Sequence, residues 1–391
     1  MRIGYAQQRN TESFKLFDLL LVVGLTLSPM TAFRVWKVGP AEVLCLLWGI
    51  RYLFKRRFRK NDTISFFVPF LIILTLGFIY CSFIARNEAS VNGLLTWLYL
   101  ALIAISLYEG LSQKSLSYTE KLLRIFSTTA ILWYFFLFLY SRTISPRFLG
   151  APLWYASKRF SGGGTNPHQV AVMLCGLCFV FAREVMNRRR VYLNILFAGI
   201  SIYLLYQTAS STGVMAIFLG FLICVYFLLV NIFPKSRAPV AVILTLILAL
   251  IGIFVYRLLY SRFMSWVASD DNGLGRLNIF AEFPASFARS PIIGLGPGTH
   301  GRGGVIEFHN TYLEIAAASG VLGFFVFLVY TVRIFKKILR GDWKLFPAVC
   351  AMYTYGLAGF AMRRLIYWGI LMFVVVIAEK KLQIQQQGDE G

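Results

Sequence analysis

Residues 211–233 read STGVMAIFLGFLICVYFLLVNIF, an apolar stretch without a single charged side chain. A helix needs about 20 mostly apolar residues to cross the hydrocarbon core of a bilayer. Lipid offers no hydrogen bonds to the backbone, so a stretch of this kind must satisfy its own N–H and C=O groups by forming a helix. The stretch therefore predicts a membrane-spanning helix.

The rest of the chain has the same character. Of its 391 residues, 58% are hydrophobic and 14% are charged, and the mean hydropathy is +0.67. A soluble domain is about 25% charged, so this chain lacks the polar residues that would cover a surface in water. The composition predicts an all-α, polytopic integral membrane protein in which residues 1–391 form a single membrane domain.

Apolar runs of suitable length predict about twelve transmembrane helices. They are residues 14–33, 36–54, 64–85, 93–108, 120–141, 166–184, 191–208, 211–233, 238–259, 309–334, 345–362 and 364–379. Every second connection is basic, as in Lys55-Arg56-Arg57 and Arg188-Arg189-Arg190. Because basic loops are retained in the cytoplasm, both termini are predicted to be cytoplasmic.

Two long loops fall on the opposite side, at about 142–165 and 260–308. Loops longer than about 12–15 residues are usually functional or disordered. The second is predicted to be the large extracytoplasmic loop and to carry part of a functional site. Aromatic residues near the predicted interfaces, including Trp154, Tyr155, Trp266 and Trp368, are interpreted mainly as an interfacial belt.

The net charge of +22 would suggest nucleic acid as the partner of a soluble protein. Here the basic clusters lie between apolar runs, which favours topology signals and attraction to anionic membrane lipids. No nucleic-acid-binding motif is present. All six cysteines fall within apolar runs, which indicates small buried residues rather than a redox pair or a metal site.

Most of the candidate chemistry lies between Arg276 and Gly323. This stretch contains Gly294-Leu-Gly-Pro-Gly298 and reaches His309-Asn310, where a long apolar helix begins. Asn310 is a candidate substrate-binding residue that could also cap this helix, and a helix N-terminus favours anions. The same positive field favours the neutral imidazole, which accepts a proton. The pattern predicts a site for a phosphate-bearing substrate with His309 as a general base; a structural histidine is the alternative.

His309-Asn310, followed by nine residues and Gly320-Val-Leu-Gly323, resembles the HN-x9-GxxG signature of the O-antigen ligase/polymerase superfamily of WaaL-type ligases and Wzy-type polymerases. The residues before it, from Arg276 through Pro291 to Gly298, resemble the large periplasmic loop of that family. The resemblance covers about 260–335, together with the topology. It implies a GT-C-like membrane glycosyltransferase of the bacterial inner membrane with a periplasmic active site.

The chemistry implied by the resemblance is glycan transfer from undecaprenyl diphosphate, with inversion and without a metal or cofactor. His309 would be the general base, and Arg276 would neutralise the diphosphate leaving group. The acceptor would be a lipid-linked repeat unit in a polymerase, or lipid A-core or protein in a ligase; a chain-length regulator is a further implied partner. Polymerase is favoured, and a transporter or flippase of a lipid-linked or anionic solute is the more distant alternative.

The family's second arginine lies in a Ser-Arg element, where this chain has Ser210-Ser211-Thr212-Gly213. Its absence favours polymerase over ligase and requires a replacement cation. Arg159, Arg363 and Arg364 are the candidates for substrate binding. Arg159 could also contact lipid headgroups, whereas the Arg363-Arg364 pair runs against the positive-inside trend and so favours an anionic partner.

Three further residues complete the predicted substrate site. His168, after Asn166-Pro167, would contact a substrate hydroxyl or merely cap a helix. Arg289 precedes Ser290-Pro291 and suits a loop ion pair better than a ligand contact. Glu314 is an acid near a helix end, where it is expected to orient a neighbouring basic group whose identity the sequence does not give.

Overall fold

The computed structural model describes residues 13–35, 38–53, 61–84, 90–233, 236–269, 278–298, 300 and 307–389. Within these ranges the chain is a bundle of helices. They are α1 (Asp18–Leu27), α2 (Pro40–Leu53), α3 (Asp62–Ile79), α4 (Val91–Ser112), α5 (Leu116–Thr143), α6 (His168–Met186), α7 (Val191–Gln207), α8 (Ser211–Ile232), α9 (Arg237–Ser269), α10 (Phe283–Ala288), α11 (Thr311–Asp342), α12 (Phe346–Tyr355) and α13 (Leu365–Asp389).

Short irregular helices extend or connect several of these elements. A π-helical turn, Tyr80–Ile84, continues α3, and 3₁₀ turns lie at Thr31–Phe33, Trp343–Leu345, Gly356–Ala358 and Ala361–Arg363. The last two form the connection between α12 and α13, so this connection has a defined backbone.

Each predicted span coincides with one of the helices. Six segments are long and apolar enough to cross a membrane, by length and composition within the described residues: Asp62–Ile84, Val91–Ser112, Leu116–Thr143, His168–Met186, Ser211–Ile232 and Thr311–Ala358. Helices α1 and α12 have ten residues each. Such a helix rises about 15 Å, half of the hydrocarbon thickness. The fold is that of an all-α membrane protein, and the number of crossings stays a prediction.

Contacts between helix ends sort the connections into two groups. At one end of the bundle, His168 at the start of α6 contacts Tyr355 at the end of α12. At the other end, Arg183 near the end of α6 pairs with Asp342 at the end of α11. We call the first the loop end and the second the basic end. The start of α6 and the end of α12 therefore lie at the loop end, and the ends of α6 and α11 lie at the basic end.

An aromatic core joins α3, α11 and α13. The ring of Phe66 stacks on Tyr330 with centroids 4.6 Å apart, and Trp368 packs against Phe67 with centroids 4.7 Å apart. The side chain of Trp368 is 0% exposed. The interpretation of Trp368 as an interfacial residue is therefore wrong, because its indole N–H donates to the carbonyl oxygen of Met362 inside the bundle.

The basic end is held by a buried ionic network around Arg183. Its guanidinium donates to carboxylates of Glu120, Glu184 and Asp342, and its side chain is 1% exposed. A buried charge is tolerated only when it is paired and hydrogen-bonded, as here. The network ties α5, α6 and α11 together. All six cysteines are buried and free, as their positions in apolar runs predict.

The loop between α5 and α6 contains two small antiparallel hairpins that the all-α prediction does not include. They are formed by β1 (Arg147–Phe148) with β2 (Ala151–Pro152), and by β3 (Trp154–Tyr155) with β4 (Arg159–Phe160). The strands have two residues each and place Arg159 at the loop end of the bundle.

Candidate functional site

The start of α11 is capped by Asn310. Its side-chain oxygen accepts hydrogen bonds from the backbone N–H groups of Tyr312 and Leu313 at 2.9 and 3.1 Å. An Asn cap of this kind satisfies donors that have no partner within the helix. The amide nitrogen of Asn310 is left to donate to the carbonyl oxygen of Leu357 at 2.8 Å. One side chain thus both caps α11 and ties it to the connection after α12.

Thr311 makes a second link to the same connection. Its hydroxyl donates to the carbonyl oxygen of Gly359 at 2.7 Å and accepts from the backbone N–H of Ala361 at 3.0 Å. Residues 310 and 311 are therefore fastened to residues 357–361, which lead directly into Arg363 and Arg364. The first turn of α11 and this arginine pair form one local unit.

His309 precedes the cap in an uncommon backbone conformation. It has φ +53°, in the left-handed region that few non-glycine residues adopt, and its side chain is exposed. A residue is held there only when the surrounding structure fixes it. The carboxylate of Glu314 accepts a hydrogen bond from the backbone N–H of Phe308 and interacts with that of His309. The side chain of Glu314 is buried, so the partner that the sequence leaves unnamed is the backbone that positions His309.

The glycine-rich segment 291–298 inserts into a break in α11. Gly320 has φ +60° and ψ −166°, so the helix is interrupted there. The N–H groups of Val321 and Leu322 donate to the carbonyls of Pro291 and Ile292 at 2.8 and 3.2 Å. The inserted segment therefore supplies partners that a continuous helix would have provided itself.

On the N-terminal side of the break, the inserted segment also hydrogen-bonds to the backbone of α11. The N–H groups of Leu295 and Gly296 donate to the carbonyls of Ala317 and Ala318, each at 2.9 Å. A Cβ on Gly320 would overlap the carbonyl of Ile292. The first glycine of the GxxG motif therefore opens the helix and admits the loop segment.

Arg363 and Arg364 differ in their partners. Arg363 forms an ion pair with Glu307 and lies over the ring of Phe360, with its guanidinium carbon 5.3 Å from the centroid. Arg364 is half-buried, and no ion pair or side-chain hydrogen bond joins it to another described residue. A half-buried cation without a carboxylate partner is a favourable neighbour for an anion.

A small cavity of about 60 Å³ lies beside this arginine pair. Its polar lining includes Glu307, Glu314 and Arg363, and its apolar wall includes Trp97 and Phe360. The cavity connects the positioning carboxylate behind His309 with the guanidinium of Arg363. It has room for water-sized groups beside the site.

A second set of polar residues surrounds the hydroxyl of Tyr355. Nδ1 of His168 lies 2.5 Å from this hydroxyl, and the hydroxyl of Ser210 lies 3.4 Å from it. Arg159 and Arg364 are both within electrostatic range of Tyr355. The loop end therefore gathers side chains from α6, the cap of α8, the hairpin and the connection after α12 around one phenol.

A comparison with protein-family models finds one family over part of the chain. Residues 195–328 match the model described as O-antigen ligase, a stretch that contains the whole of the motif from His309 to Gly323. The resemblance to the O-antigen ligase/polymerase superfamily is confirmed. Members of this family are glycosyltransferase-like enzymes. No curated protein matches the chain.

The structure brings together most of the residues predicted for an O-antigen ligase or polymerase site. His309, Asn310, Glu314 and Arg363 lie around the start of α11. Arg364 links this group to His168 and Arg159 through Tyr355. Arg159 also donates from Nε to the carbonyl oxygen of Thr208 at 3.0 Å.

Arg276 and Arg289 are the other two residues predicted for the site. Arg276 lies outside the described residues. Arg289 ends α10 with an exposed side chain, and no ion pair joins it to another described residue, so the expected loop ion pair is not among the contacts found. His300 is buried, and its Nε2 lies 2.7 Å from the carbonyl oxygen of Gly296, to which the neutral ring donates. Burial lowers the pKa of His300, which keeps it neutral as a brace for the inserted segment.

Two residues of the loop end, Arg34 and Tyr355, are not among the site residues predicted from the sequence. Arg34 follows α1 and pairs with Glu42, and it is within electrostatic range of Arg364. Its place on the predicted outer side runs against the positive-inside trend, which is the signal that singled out Arg363 and Arg364. Tyr355 lies in an apolar run, and nothing in the local sequence distinguishes it from a core aromatic residue.

Proposed function

We propose that this protein is a membrane glycosyltransferase that moves a glycan from undecaprenyl diphosphate to a sugar hydroxyl at the periplasmic face of the bacterial inner membrane. The observation that carries the proposal is the pair of links from Asn310 and Thr311 to residues 357–361. These links tie the segment of the exposed His309 to the connection that leads into Arg363 and Arg364.

His309 acts as the general base in this proposal. Its imidazole takes the proton of the acceptor hydroxyl while the hydroxyl oxygen forms a bond to the anomeric carbon of the donor sugar. The bond from that carbon to the diphosphate oxygen breaks, and undecaprenyl diphosphate leaves with the electron pair. Attack from the face opposite the leaving group inverts the anomeric configuration. General-base assistance is typically worth about 10²–10⁴-fold in rate.

Arg364 neutralises the diphosphate, together with Arg276 from the large loop. Charge develops on the leaving oxygen in the transition state, and fixed guanidinium groups stabilise it without reorganisation. Arg364 is suited to this role because it has no carboxylate partner among the described residues, whereas Arg363 is already paired with Glu307. Arg363 would then orient the connection and shape the neighbouring cavity.

His168, Tyr355 and Arg159 bind the sugar and phosphate groups nearest the acceptor. The contact between His168 and Tyr355 holds both rings beside the proposed substrate site. Asn310 positions its helix and meets substrate only through its neighbours. Arg289 is exposed at the end of α10, and the proposal assigns it a contact with the extended glycan.

We propose a polymerase, with a lipid-linked repeat unit as acceptor. The family's ligase-like arginine is absent at Ser210-Ser211-Thr212-Gly213, and this absence supports the choice of polymerase. The hydroxyl of Ser210 contacts Tyr355 at this position. A ligase that transfers the glycan to lipid A-core is the second candidate, since the matching family model is described as O-antigen ligase.

The topology of the proposal has twelve crossings in one membrane domain, cytoplasmic termini and an outer active site. It is supported by the separation of the loop end from the basic end, because Arg188, Arg189 and Arg190 lie in the connection after α6, at the basic end.

The two acceptors are separated by one experiment on purified protein. Incubation with lipid-linked repeat units alone is expected to give longer lipid-linked chains. Product that forms only when lipid A-core is added would show a ligase. If neither mixture yields product while lipid-linked precursor crosses vesicles that contain the protein, the glycosyltransferase proposal fails and a transporter or flippase takes its place.

A further inference from the structure

A second polar cavity lies at the basic end, far along the helices from His309. It has a volume of about 490 Å³ and is formed by α5, the end of α6 and the start of α7. Its charged lining consists of Lys121, Arg124, Arg189, Arg190 and the buried carboxylate of Glu184. We call it the cation pocket. The proposed glycosyl transfer makes no use of it.

The carboxylates near the cation pocket are already committed to other cations. One oxygen of Glu184 accepts from Arg183 at 2.8 Å, and Glu120 pairs with Arg183 and with Arg189. Within the described residues, the other oxygen of Glu184 accepts no hydrogen bond, and Arg189 and Arg124 approach it to 3.7 and 3.9 Å. Positive charge is therefore in excess at this cavity.

Arg124 and Arg190 show this excess most clearly. The side chain of Arg124 is 45% exposed, and its contact with Glu184 is too long for a hydrogen bond. Arg190 lines the cavity and forms no ion pair with another described residue. Two guanidinium groups at one cavity are a favourable site for the oxygens of a phosphate, because each can bind two of them.

The start of α7 adds to the attraction for an anion. Arg190 is the residue before this helix, and Leu193 and Asn194 of its first turn line the cavity. The free N–H groups of a first helical turn carry partial positive charge. This partial charge adds to the positive charge of Arg124 and Arg190 at the cavity.

The wall of the cation pocket identifies the source of the phosphate. Besides the charged residues, the cavity is lined by Val180, Phe181 and Phe197, and by the hydroxyl-bearing Thr128 and Thr129 of α5. A free phosphate ion gains nothing from an apolar wall, whereas the glycerol and acyl chains of a lipid do. The basic end is also the end predicted to meet the cytoplasmic leaflet, whose lipids are anionic.

From these observations we propose that the cation pocket binds the phosphodiester headgroup of an anionic glycerophospholipid from the cytoplasmic leaflet. Arg124 and Arg190 hold the phosphate, and the hydroxyls of Thr128 and Thr129 meet the glycerol portion. A bound lipid would join α5 to α7, whose far end carries the carbonyl of Thr208 that accepts from Arg159.

Lipid binding to the delipidated protein in detergent tests the proposal. Phosphatidylglycerol is titrated against phosphatidylcholine, and binding is followed by native mass spectrometry and by the shift in Tm. The test variant is Arg124→Gln with Arg190→Gln. The control, Arg188→Gln with Arg340→Gln, removes the same charge; Arg188 lies in the same turn as Arg190, also with positive φ, but does not line the cavity.

We expect phosphatidylglycerol to bind wild type and the control alike, and the test variant at least about tenfold more weakly, since each basic residue at a membrane surface contributes measurably to lipid attraction. Equal binding by the test variant would overturn the proposal. If inorganic phosphate alone raises Tm as much as phosphatidylglycerol does at matched ionic strength, the cavity is a site for a free anion and the assignment to lipid is overturned.

A second measurement tests the proposal on the wild-type protein, and it applies even if the double variant does not fold. A photoactivatable phosphatidylglycerol is crosslinked to the wild-type protein in vesicles, and the adducts are mapped by peptide. Adducts within 121–129 or 189–197 are expected. Adducts confined to other helices would contradict the assignment whatever the behaviour of the variants.

Discussion

The side-chain amide of Asn310 donates a 2.8 Å hydrogen bond to the carbonyl oxygen of Leu357. These residues are far apart in the sequence, and their contact joins the start of α11 to the connection that carries Arg363 and Arg364. In the proposed mechanism this contact holds the segment of His309, the proposed base, next to the connection that carries Arg364, the proposed cation. Fixed positions of this kind are a large part of what an enzyme contributes to a transfer reaction.

The hydrogen bond from residue 310 to Leu357 can be removed while the helix cap at the start of α11 is kept. Asp is as good a helix cap as Asn, but it has no N–H to donate to Leu357. We expect Asn310→Asp to lower kcat with little change in Tm, whereas Asn310→Ala lowers both, with a loss of about 1 kcal/mol in stability from the cap. Turnover assays and thermal unfolding of the two variants check this. Equal kcat in wild type and Asn310→Asp would show that the link is irrelevant to activity.

Glu314 is expected to act as a positioning residue. Its buried carboxylate accepts a hydrogen bond from the backbone N–H of Phe308, next to His309. Glu314→Gln keeps one acceptor oxygen and replaces the other by an amide NH₂, so we expect kcat to fall roughly tenfold with KM unchanged, because a small misplacement of the base slows the reaction. Glu314→Leu leaves a buried N–H unpaired and should cost about 1–3 kcal/mol of stability. A rise in KM alone for Glu314→Gln would instead indicate direct substrate contact.

The region around the break in α11 contains both features that the sequence predicts and features that it does not. The stretch from His309 to Gly323 was sufficient to indicate the family and the cap, because a helix cap depends on adjacent residues. The insertion of segment 291–298 at Gly320 was not predictable, since it depends on backbone hydrogen bonds between distant parts of the chain. The same holds for the contact of His168 with Tyr355, and for the burial of Trp368, whose position near a helix end resembles that of an interfacial residue.

Gly320→Ala is expected to expel the inserted segment. The new Cβ would overlap the carbonyl of Ile292, and the left-handed backbone at Gly320 is strained for alanine. Both effects destabilise, by more than about 1 kcal/mol together. Thermal unfolding and limited proteolysis of the large loop are the measurements.

The matched control for this variant is Gly199→Ala. Gly199 lies within α7, and an added Cβ there would meet nothing within 4 Å. Alanine in a helix is favoured over glycine, so this change should leave stability equal or slightly higher. If the two variants unfold and are cleaved alike, the insertion does not depend on Gly320.

Arg364 is expected to contribute through its planar guanidinium. Arg364→Lys keeps the charge but loses the bidentate geometry that suits a diphosphate, and Arg364→Gln loses both. We expect kcat/KM to fall in the order wild type, Lys, Gln, with inhibition by added undecaprenyl diphosphate weakened in the same order. Arg340→Gln, an exposed arginine outside the loop end, serves as the control for a change in net charge. Unchanged product inhibition in Arg364→Gln would remove this residue from the diphosphate site.

The turnover of His309→Ala tests the central claim most directly. Purified wild-type and variant proteins are incubated with undecaprenyl-diphosphate-linked repeat units, and lipid-linked products are separated by length. With the base removed and the fold retained, we predict a loss of about 10²–10⁴-fold in rate. Chain extension by His309→Ala at the wild-type rate would contradict the account, because no general base could then reside at this position.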